Sequence, residues 1–193
     1  MLVGLVSDIH GNAAALAHAF DLLRDAGMLI CLGDSISQHR FCNDTVRLLR
    51  DREVLTIQGN HEAAFFAPAA RQGRMKNGID GTLMDWLAQR PVRLDRMIGG
   101  RRILMIHSTA LDPLGDYVAG EGARFHQHFE GTGADIILCG HTHMPGIRRT
   151  AGGTLVVNPG SAGEGRPVGD GFIASCALLD ISTADIQFFE FTH

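Results

Sequence analysis

The segment Leu2-Val3-Gly4-Leu5-Val6-Ser7-Asp8-Ile9-His10, at the start of the 193-residue sequence, decides the fold. Its apolar run Leu2–Val6 is typical of a strand buried on both faces. Asn12 can cap a helix that begins at Ala13, whose apolar stripe keeps helical spacing until Gly27 closes it. A buried strand is thus followed by polar residues and then by a helix, which predicts the start of an α/β fold.

The same alternation continues through the N-terminal half of the chain. Residues 28–32 form a second apolar run, residues 45–50 a helical pattern, and residues 54–57 a third apolar run. Strands that alternate with helices in this way predict a parallel sheet.

The rest of the chain predicts a second sheet. Residues 63–78, with a proline and two glycines, are predicted to be irregular, and a helix over 82–89 is stopped by Pro91. The later predicted elements are a strand over 103–106, a helix over 120–130, a strand over 136–139 and short antiparallel strands over 147–149, 154–157, 172–179 and 186–191. Residues 163–171 are predicted to be a loop. Since no repeat or linker interrupts the sequence, we expect residues 1–193 to form one domain.

Side chains of the kind that bind metals follow five of the predicted strands directly. Open α/β sheets place their sites at the carboxyl ends of strands, so we expect these side chains to converge. Glycine precedes a candidate ligand at Gly33, Gly59 and Gly140, where a tight turn would swing the chain into the site. The polar residues at these ends are Asp8 with His10, Asp34, Asn60 with His61 and Glu62, His107, and His141 with His143.

Two of these pairs are spaced two residues apart, which lets both side chains of a pair reach the same site. Residues i and i+2 of an extended segment face the same side, roughly 6.6 Å apart along the chain. Asp8 with His10, and His141 with His143, can therefore converge on one ion or straddle a close pair of ions. Carboxylate, amide and imidazole groups without a thiolate favour Mn, Fe, Zn, Co or Ni over a structural thiolate zinc site.

Taken together, these motifs resemble the signature of the calcineurin-like metallophosphoesterases. The matching motifs are Asp8-Ile9-His10, Gly33-Asp34, Gly59-Asn60-His61-Glu62, His107 and Gly140-His141-Thr142-His143. Residues 106–114 and 157–161 are similar to the small prokaryotic branch that includes the YfcE-type phosphodiesterases. The resemblance covers nearly the whole chain and implies a four-layer α/β/β/α sandwich with two mixed central sheets.

The resemblance also implies a role for each site residue. The implied metal ligands are Asp8, His10 and His143 for one ion, and Asn60, His107 and His141 for the other. Asp34 would bridge the two ions, and His61 would be the catalytic residue that protonates the leaving group. The cofactors would be two divalent transition-metal ions, with Mn first and Fe, Zn, Ni or Co as alternatives. A hydroxide that bridges them would attack the phosphorus of a small phosphate ester in line.

The sequence departs from the related serine/threonine protein phosphatases after Gly33-Asp34. The aspartate that orients their catalytic histidine and the arginine that holds their phosphate are replaced by Ser37 and Gln38. Protein-phosphatase activity is therefore disfavoured, and what orients His61 stays open, with Glu62 as the adjacent candidate. Because enzymes for phosphomonoester dianions usually add fixed cations to the metals, we expect a phosphodiester as the substrate. The other candidate cations lie in loops, at Arg71, Arg74 and Arg166.

Two other functions use a similar chain. A eukaryotic retromer subunit that resembles this fold works mainly as a scaffold, but its catalytic histidine position is not histidine, whereas His61 is present here. A nuclease or a dinucleoside-polyphosphate hydrolase would use the same metal core. The net charge of −4 gives no general attraction to nucleic acid, which disfavours the nuclease.

The composition also bears on the compartment. No apolar run approaches the roughly 18 residues that a transmembrane helix needs, and the N-terminus has no signal-peptide pattern. The four cysteines are scattered without a Cys-x-x-Cys pair, which favours reduced thiols in a cytoplasm. We therefore expect a cytoplasmic enzyme that acts on a small-molecule phosphate ester, with no membrane partner.

Overall fold

Two β-sheets organise the part of the chain that the computed structural model describes, residues 1–70, 78–118 and 122–192. The helices are α1 Ala13–Leu22, α2 Asn43–Asp51, α3 Asn60–Phe66, α4 Gly81–Ala88 and α5 Ala123–Phe129. The strands are β1 Leu2–Val6, β2 Met28–Cys31, β3 Leu55–Thr56, β4 Arg93–Ile98, β5 Arg101–Ile106, β6 Ile136–Leu138, β7 Gly146–Arg149, β8 Leu155–Asn158, β9 Arg166–Val168, β10 Gly171–Asp180 and β11 Ile186–Phe191. Among these helices, none is long and apolar enough to cross a bilayer.

The first sheet has the strand order β11-β10-β1-β2-β3, and β9 pairs with β10 beside this path. Strands β1, β2 and β3 are parallel, which confirms the arrangement predicted for the N-terminal half. Strand β10 runs antiparallel to β1, so that Ala177 lies opposite Leu5. The C-terminal strands therefore complete the sheet that the N-terminal strands begin.

The second sheet has the order β4-β5-β6-β8-β7. Strands β5, β6 and β8 are parallel, and the two edge strands β4 and β7 are antiparallel to their neighbours. The antiparallel pairing predicted for the last third is present between β7 and β8, but β8 also pairs in parallel with β6, which was not predicted. After β6 the chain crosses to the edge of the sheet and forms β7, which is antiparallel to β8. Strand β8 then fills the place between β6 and β7 and runs in the same direction as β6.

The predicted four-layer sandwich is confirmed by the way the apolar residues divide. Along β5, Ile103 and Met105 face the other sheet, whereas Leu104 and Ile106 face a helix, as the two-residue period of a strand requires. The core between the sheets includes Val3, Leu5, Ile30, Met105, Leu138 and Val157. The outer face of the first sheet packs on α1 and α2 through Leu16, Phe20 and Leu49, and that of the second packs on α5 through Phe125 and Phe129.

Helix α1 begins as predicted and ends earlier. The Asn12 side chain accepts a hydrogen bond from the Ala15 N–H at 3.1 Å, which caps the helix. The helix stops at Leu22 and not at Gly27, because the Gly27 N–H donates to the Leu2 carbonyl at 3.0 Å. This bond already ties residue 27 to the sheet, so residues 23–26 form the turn.

The region predicted to be irregular begins inside a helix. Helix α3 continues to Phe66, and a short 3-10 turn follows at Pro68–Ala70. The buried Phe65 ring packs with Ile36 and Leu83, and this tertiary contact outweighs the weak local pattern. Residues 71–77, and with them the predicted cluster of Arg71, Arg74 and Lys76, lie outside the described residues. The start of the helix predicted over 120–130 lies there too, and α5 is described from Ala123.

Two strands were missed by the sequence analysis. Strand β4 joins β5 through Gly99 and Gly100, whose φ angles of 57° and 81° suit a two-residue hairpin turn. Most β4 residues are exposed, so the strand has no apolar run. Strand β9 lies within the predicted loop 163–171 and pairs with the first residues of β10. Both strands are largely exposed and therefore have no apolar pattern in the sequence. They form because they pair with a neighbouring strand.

Candidate metal centre

All seven predicted metal ligands come together where the strands end. Asp8 and His10 follow β1, Asp34 follows β2, and His107 follows β5. Asn60 opens α3 after β3, and His141 with His143 lies between β6 and β7. The two carboxylates, His10 and His107 are buried, and the other three residues are half-buried.

The backbone of this cluster is held in an unusual conformation. Five of the seven residues have positive φ angles, which non-glycine residues rarely adopt. These are Asp8 at 53°, His10 at 50°, Asp34 at 51°, His141 at 66° and His143 at 58°. The Ile9 and His10 N–H groups both donate to the Asp34 carbonyl, at 2.8 and 2.9 Å, and fix the first loop against the second. Strain of this kind persists where the surrounding structure enforces it, and it is concentrated at functional sites.

The first group of ligand atoms lies around Asp8. The Asp8 Oδ1 atom is 3.3 Å from His143 Nε2 and 3.9 Å from His10 Nε2, and the two Nε2 atoms are 3.2 Å apart. These three atoms all lie within 4.8 Å of one another, which is close enough for them to hold one ion.

The second group lies around Asp34 and His107. Asp34 Oδ2 is 3.2 Å from His107 Nε2, which in turn is 3.0 Å from Asn60 Oδ1. Asp34, His107 and His141 each offer an atom within 4.8 Å of the others, and Asp34 also groups with His10 and His61. Asp34 therefore reaches both sides of the cluster, as a bridging carboxylate would.

The contacts behind these side chains leave ligand atoms free toward the centre. His107 Nδ1–H donates to the Leu32 carbonyl at 2.7 Å, and His143 Nδ1–H donates to the Gly165 carbonyl at 3.3 Å. In each neutral ring the Nε2 lone pair then faces the cluster, as metal-binding histidines require. Asp8 Oδ2 accepts from the His141 N–H at 3.0 Å, whereas the buried Asp8 Oδ1 has no hydrogen-bond partner in the described part of the chain. A buried carboxylate oxygen of this kind is suited to bind a divalent cation.

The charges of the cluster also suit a cation. Burial raises the pKa of Asp8, but the contacts with His143 and His107 outweigh it and hold the pKa at about 2. Burial lowers the pKa of His107, but Asp34 outweighs it and raises the pKa to about 9. Burial lowers the pKa of both His10 and His141. The cluster thus contains an ionised carboxylate with imidazoles that are neutral or can release a proton to an incoming ion.

The His61 side chain lies at the edge of the cluster. Its Nδ1 accepts a hydrogen bond from the Gln38 N–H at 3.2 Å, so the proton of the neutral ring is on Nε2. That Nε2 is 3.9 Å from Asp34 Oδ2, and the ring centroid is 4.6 Å from that of His10. The backbone of Gln38 therefore orients His61, which answers the question left open by the sequence.

Glu62 does not orient the His61 ring; it fastens two loops together. Its buried carboxylate accepts five hydrogen bonds. The donors are the N–H groups of Asp34 at 2.9 Å, Ser35 at 2.7 Å, Ile36 at 3.2 Å and Gly59 at 2.8 Å, and the Ser35 hydroxyl at 2.6 Å. Burial and the nearby Asp34 raise the pKa of Glu62, whereas the bonds from Ser35 and Gly59 favour the ionised form. The role of Glu62 could not be found from sequence, because its neighbours come from another strand end.

Two glycines allow the loops to approach closely. A Cβ on Gly59 would collide with the Asp34 carboxylate, and a Cβ on Gly140 would collide with the Ser7 side chain. At the end of β8, Asn158 Nδ2 donates to the Gly140 carbonyl at 2.6 Å. The Ser161 hydroxyl donates to the Asp8 carbonyl at 2.7 Å. Side chains outside the ligand set therefore hold the ligand loops in place.

The candidate cations behave differently from one another. Arg166 Nη2 is paired with Glu190 Oε1 at 2.6 Å, so the charge of its guanidinium is already neutralised by a carboxylate. The exposed Arg40 was missed by the sequence analysis. Its Nη2 lies 3.6 Å from the position that a Cβ on Gly11 would take, next to His10, and it forms no ion pair among the described residues. Its only sequence signal is its place six residues after Asp34.

The family model for the calcineurin-like phosphoesterase superfamily domain matches residues 1–184. The chain belongs to this superfamily. It is an enzyme of the metal-dependent phosphoesterase class, with a cluster of histidine and aspartate side chains placed to bind metal. This confirms the resemblance seen in the sequence motifs.

Individual relatives of this phosphoesterase are distant in sequence and similar in fold. The uncharacterized protein MJ0912 of Methanocaldococcus jannaschii is 23% identical over 192 residues, which covers 86% of this chain and 77% of that protein. A metallophosphoesterase from Sphaerobacter thermophilus has a TM-score of 0.79 at 20% identity, covering 100% of this chain and 89% of that one. The E. coli phosphoesterase YfcE has a TM-score of 0.55 at 18% identity, covering 99% and 98%.

Proposed function

We propose that this chain is a dinuclear phosphodiesterase that hydrolyses a small phosphate diester. Asp8, His10 and His143 would hold one ion, and Asn60, His107 and His141 the other. Asp34 would bridge the two ions. The observation that carries the proposal is the buried Asp8 Oδ1 atom, which has no hydrogen-bond partner in the described part of the chain and faces three imidazole Nε2 atoms within 3.9 Å.

Two bound divalent ions supply an activated water at near-neutral pH and positive charge against the phosphate oxygens. Manganese is our first choice, because the ligand set combines carboxylate and amide oxygens with imidazoles. The chain itself contributes a hydrogen-bond donor for the leaving group. His61 presents Nε2 at the edge of the cluster; as an imidazolium the ring would give its Nε2 proton to the departing oxygen and return to a neutral ring.

A diester is supported by how few fixed positive charges the described residues place around the cluster. The position that carries arginine in the protein phosphatases is Gln38, and Arg166 is paired with Glu190. A monoester dianion would need a cation to supplement the metals. Among the described residues, Arg40 is best placed to supply this cation. If the monoester is preferred, loss of that preference on removal of Arg40 would identify Arg40 as the cation.

The alternative functions give different results in simple measurements. A non-catalytic scaffold would retain the fold and the metals without turnover, but His61 is present and oriented, which favours an enzyme. A dinucleoside-polyphosphate hydrolase or nuclease would use the same metal core and prefer anhydride or polynucleotide substrates. All four cysteines are free thiols, which supports our proposal of a cytoplasmic location.

The test is a comparison of two substrates that differ only in ester charge. Metal-depleted protein is supplied with one divalent ion at a time and assayed with methyl p-nitrophenyl phosphate and p-nitrophenyl phosphate. We expect a higher kcat/KM for the diester with Mn²⁺. A monoester preference of about tenfold, or ~1.4 kcal/mol in transition-state stabilisation, would overturn the diester proposal.

A further inference from the structure

The aromatic ring of Tyr117 lies beside the ligand cluster. Its centroid is 5.8 Å from that of His141 at an interplanar angle of 62°, and His141 is 5.1 Å from His107 in the same edge-to-face manner. The His141 ring therefore contacts both the buried His107 ring and the exposed Tyr117 ring.

Tyr117 is fixed in place although it is exposed. Its hydroxyl donates to the Thr142 carbonyl at 3.2 Å, between the two metal-ligand histidines of that loop. The residue is 53% exposed and belongs to none of the four apolar clusters in the described residues. An anchored ring that is not part of the core loses little conformational entropy when another flat group covers it.

We infer that Tyr117 is a specificity-determining residue that stacks against a planar aromatic group of the substrate. The inference rests on the proposed function, because it requires a phosphate at the ions beside His141. A phosphate bound there would place its ester substituent near Tyr117, because the ring centroids of Tyr117 and His141 are 5.8 Å apart. Aromatic rings attract one another at centroid separations of about 4.5–7 Å. The substrate class is therefore an aryl or nucleoside phosphodiester.

Aryl and nucleoside substituents both present a flat π-system to Tyr117. Binding measurements with matched pairs of phosphates distinguish the two. Mn²⁺-loaded protein is titrated calorimetrically with thymidine 5′-monophosphate and with 2-deoxyribose 5-phosphate, which lacks only the base. A second pair is phenyl phosphate and cyclohexyl phosphate, which match in size and charge. We expect the aromatic member of at least one pair to bind about tenfold more tightly. The pair that shows the preference identifies the substituent.

Variants show whether Tyr117 is the cause. Tyr117→Ala should abolish the preference and retain its Mn²⁺ content, and Tyr117→Phe should keep most of the preference because it keeps the ring. Phe172→Ala is the matched control, since Phe172 is 62% exposed on β10 and contacts no ligand ring among the described residues. The Phe172→Ala variant should bind both members of each pair as the unaltered protein does.

Three results would overturn the inference. The first is equal affinity within both pairs for the unaltered protein, and the second is a preference that survives in Tyr117→Ala. The third is loss of Mn²⁺ from Tyr117→Ala, which would make the ring a support for His141. Hydrolysis of methyl p-nitrophenyl phosphate alongside any of these results would leave the proposed function standing. Absence of both phosphate binding and hydrolysis would reject the proposed function and the inference together.

Discussion

At the scale of single residues, Asp34 is the side chain on which both ion positions depend. It is buried, it lies 3.2 Å from His107, and it groups with His10 and His61 on the other side. We therefore expect Asp34→Ala to lose both ions, which elemental analysis of the purified variant measures. Asp95→Ala, at an exposed pair with Arg102, is the control and should retain them. Full metal content in the Asp34 variant would reject the bridging role.

His61 differs from the ligands His107 and His143 because its Nδ1 accepts a hydrogen bond, from the Gln38 N–H, whereas theirs donate to backbone carbonyls. His61→Ala should keep its ions and lose about 10²–10⁴-fold in kcat on a diester with a poor leaving group. An activated nitrophenolate leaving group should show a smaller loss, because it needs little protonation. His126 is half-buried on α5 and outside the ligand cluster, so it provides a control, and His126→Ala should behave as the unaltered enzyme. If the His61 variant binds no metal, His61 is a ligand and its assignment as proton donor is wrong.

At the scale of elements, Glu62 joins the start of α3 to the loop after β2. Its carboxylate is completely buried and accepts from both segments, so Glu62→Gln would replace an acceptor oxygen by an NH₂ group that faces N–H donors. We expect a loss of about 3 kcal/mol in the free energy of unfolding, measured by urea denaturation, together with weaker metal binding. Glu130→Gln removes a carboxylate that accepts from the more exposed Gly152 N–H. That variant should change stability by less than about 1 kcal/mol. Equal losses in the two variants would contradict the role of Glu62 as a clamp.

The strand ends explain why so many ligands could be found in the sequence. Each ligand lies in the short segment that follows an apolar run, and parallel strands bring their carboxyl ends to one edge. The positions of Asp8, Asp34 and His107 follow from this rule. The contact of the Gln38 N–H with His61 does not, because it depends on how the loop after β2 folds over α3.

At the scale of the whole molecule, bound ions should contribute to stability. Ions that bind the native state and not the unfolded chain stabilise by about 2.7 kcal/mol at one hundred times Kd. For a chain of this size, that corresponds to about 5–10 °C in Tm. Chelation should therefore lower Tm and re-addition of Mn²⁺ should restore it, as scanning calorimetry measures. The Asp34→Ala variant should respond to neither treatment, and an equal response there would show that the effect arises outside the cluster.

The fold class, the parallel N-terminal strands and the set of converging ligands were predictable from the sequence. Their signals are local, since an apolar run, a capping Asn12 and a polar residue at a strand end can each be recognised without knowing the neighbours. The division into one domain and the roles assigned to individual ligands stay predictions. The family match confirms the class of enzyme and leaves its substrate to experiment.

Tertiary structure alone decided the features that depend on contacts between distant segments. The direction of β8, the pairing of the exposed strand β4, the five bonds to Glu62 and the ring of Tyr117 beside His141 all join residues from different elements. Hydrophobic periodicity records only whether a residue is buried. It does not record which partner buries the residue or which donor a polar atom meets, because these depend on the packing of the two sheets and their loops.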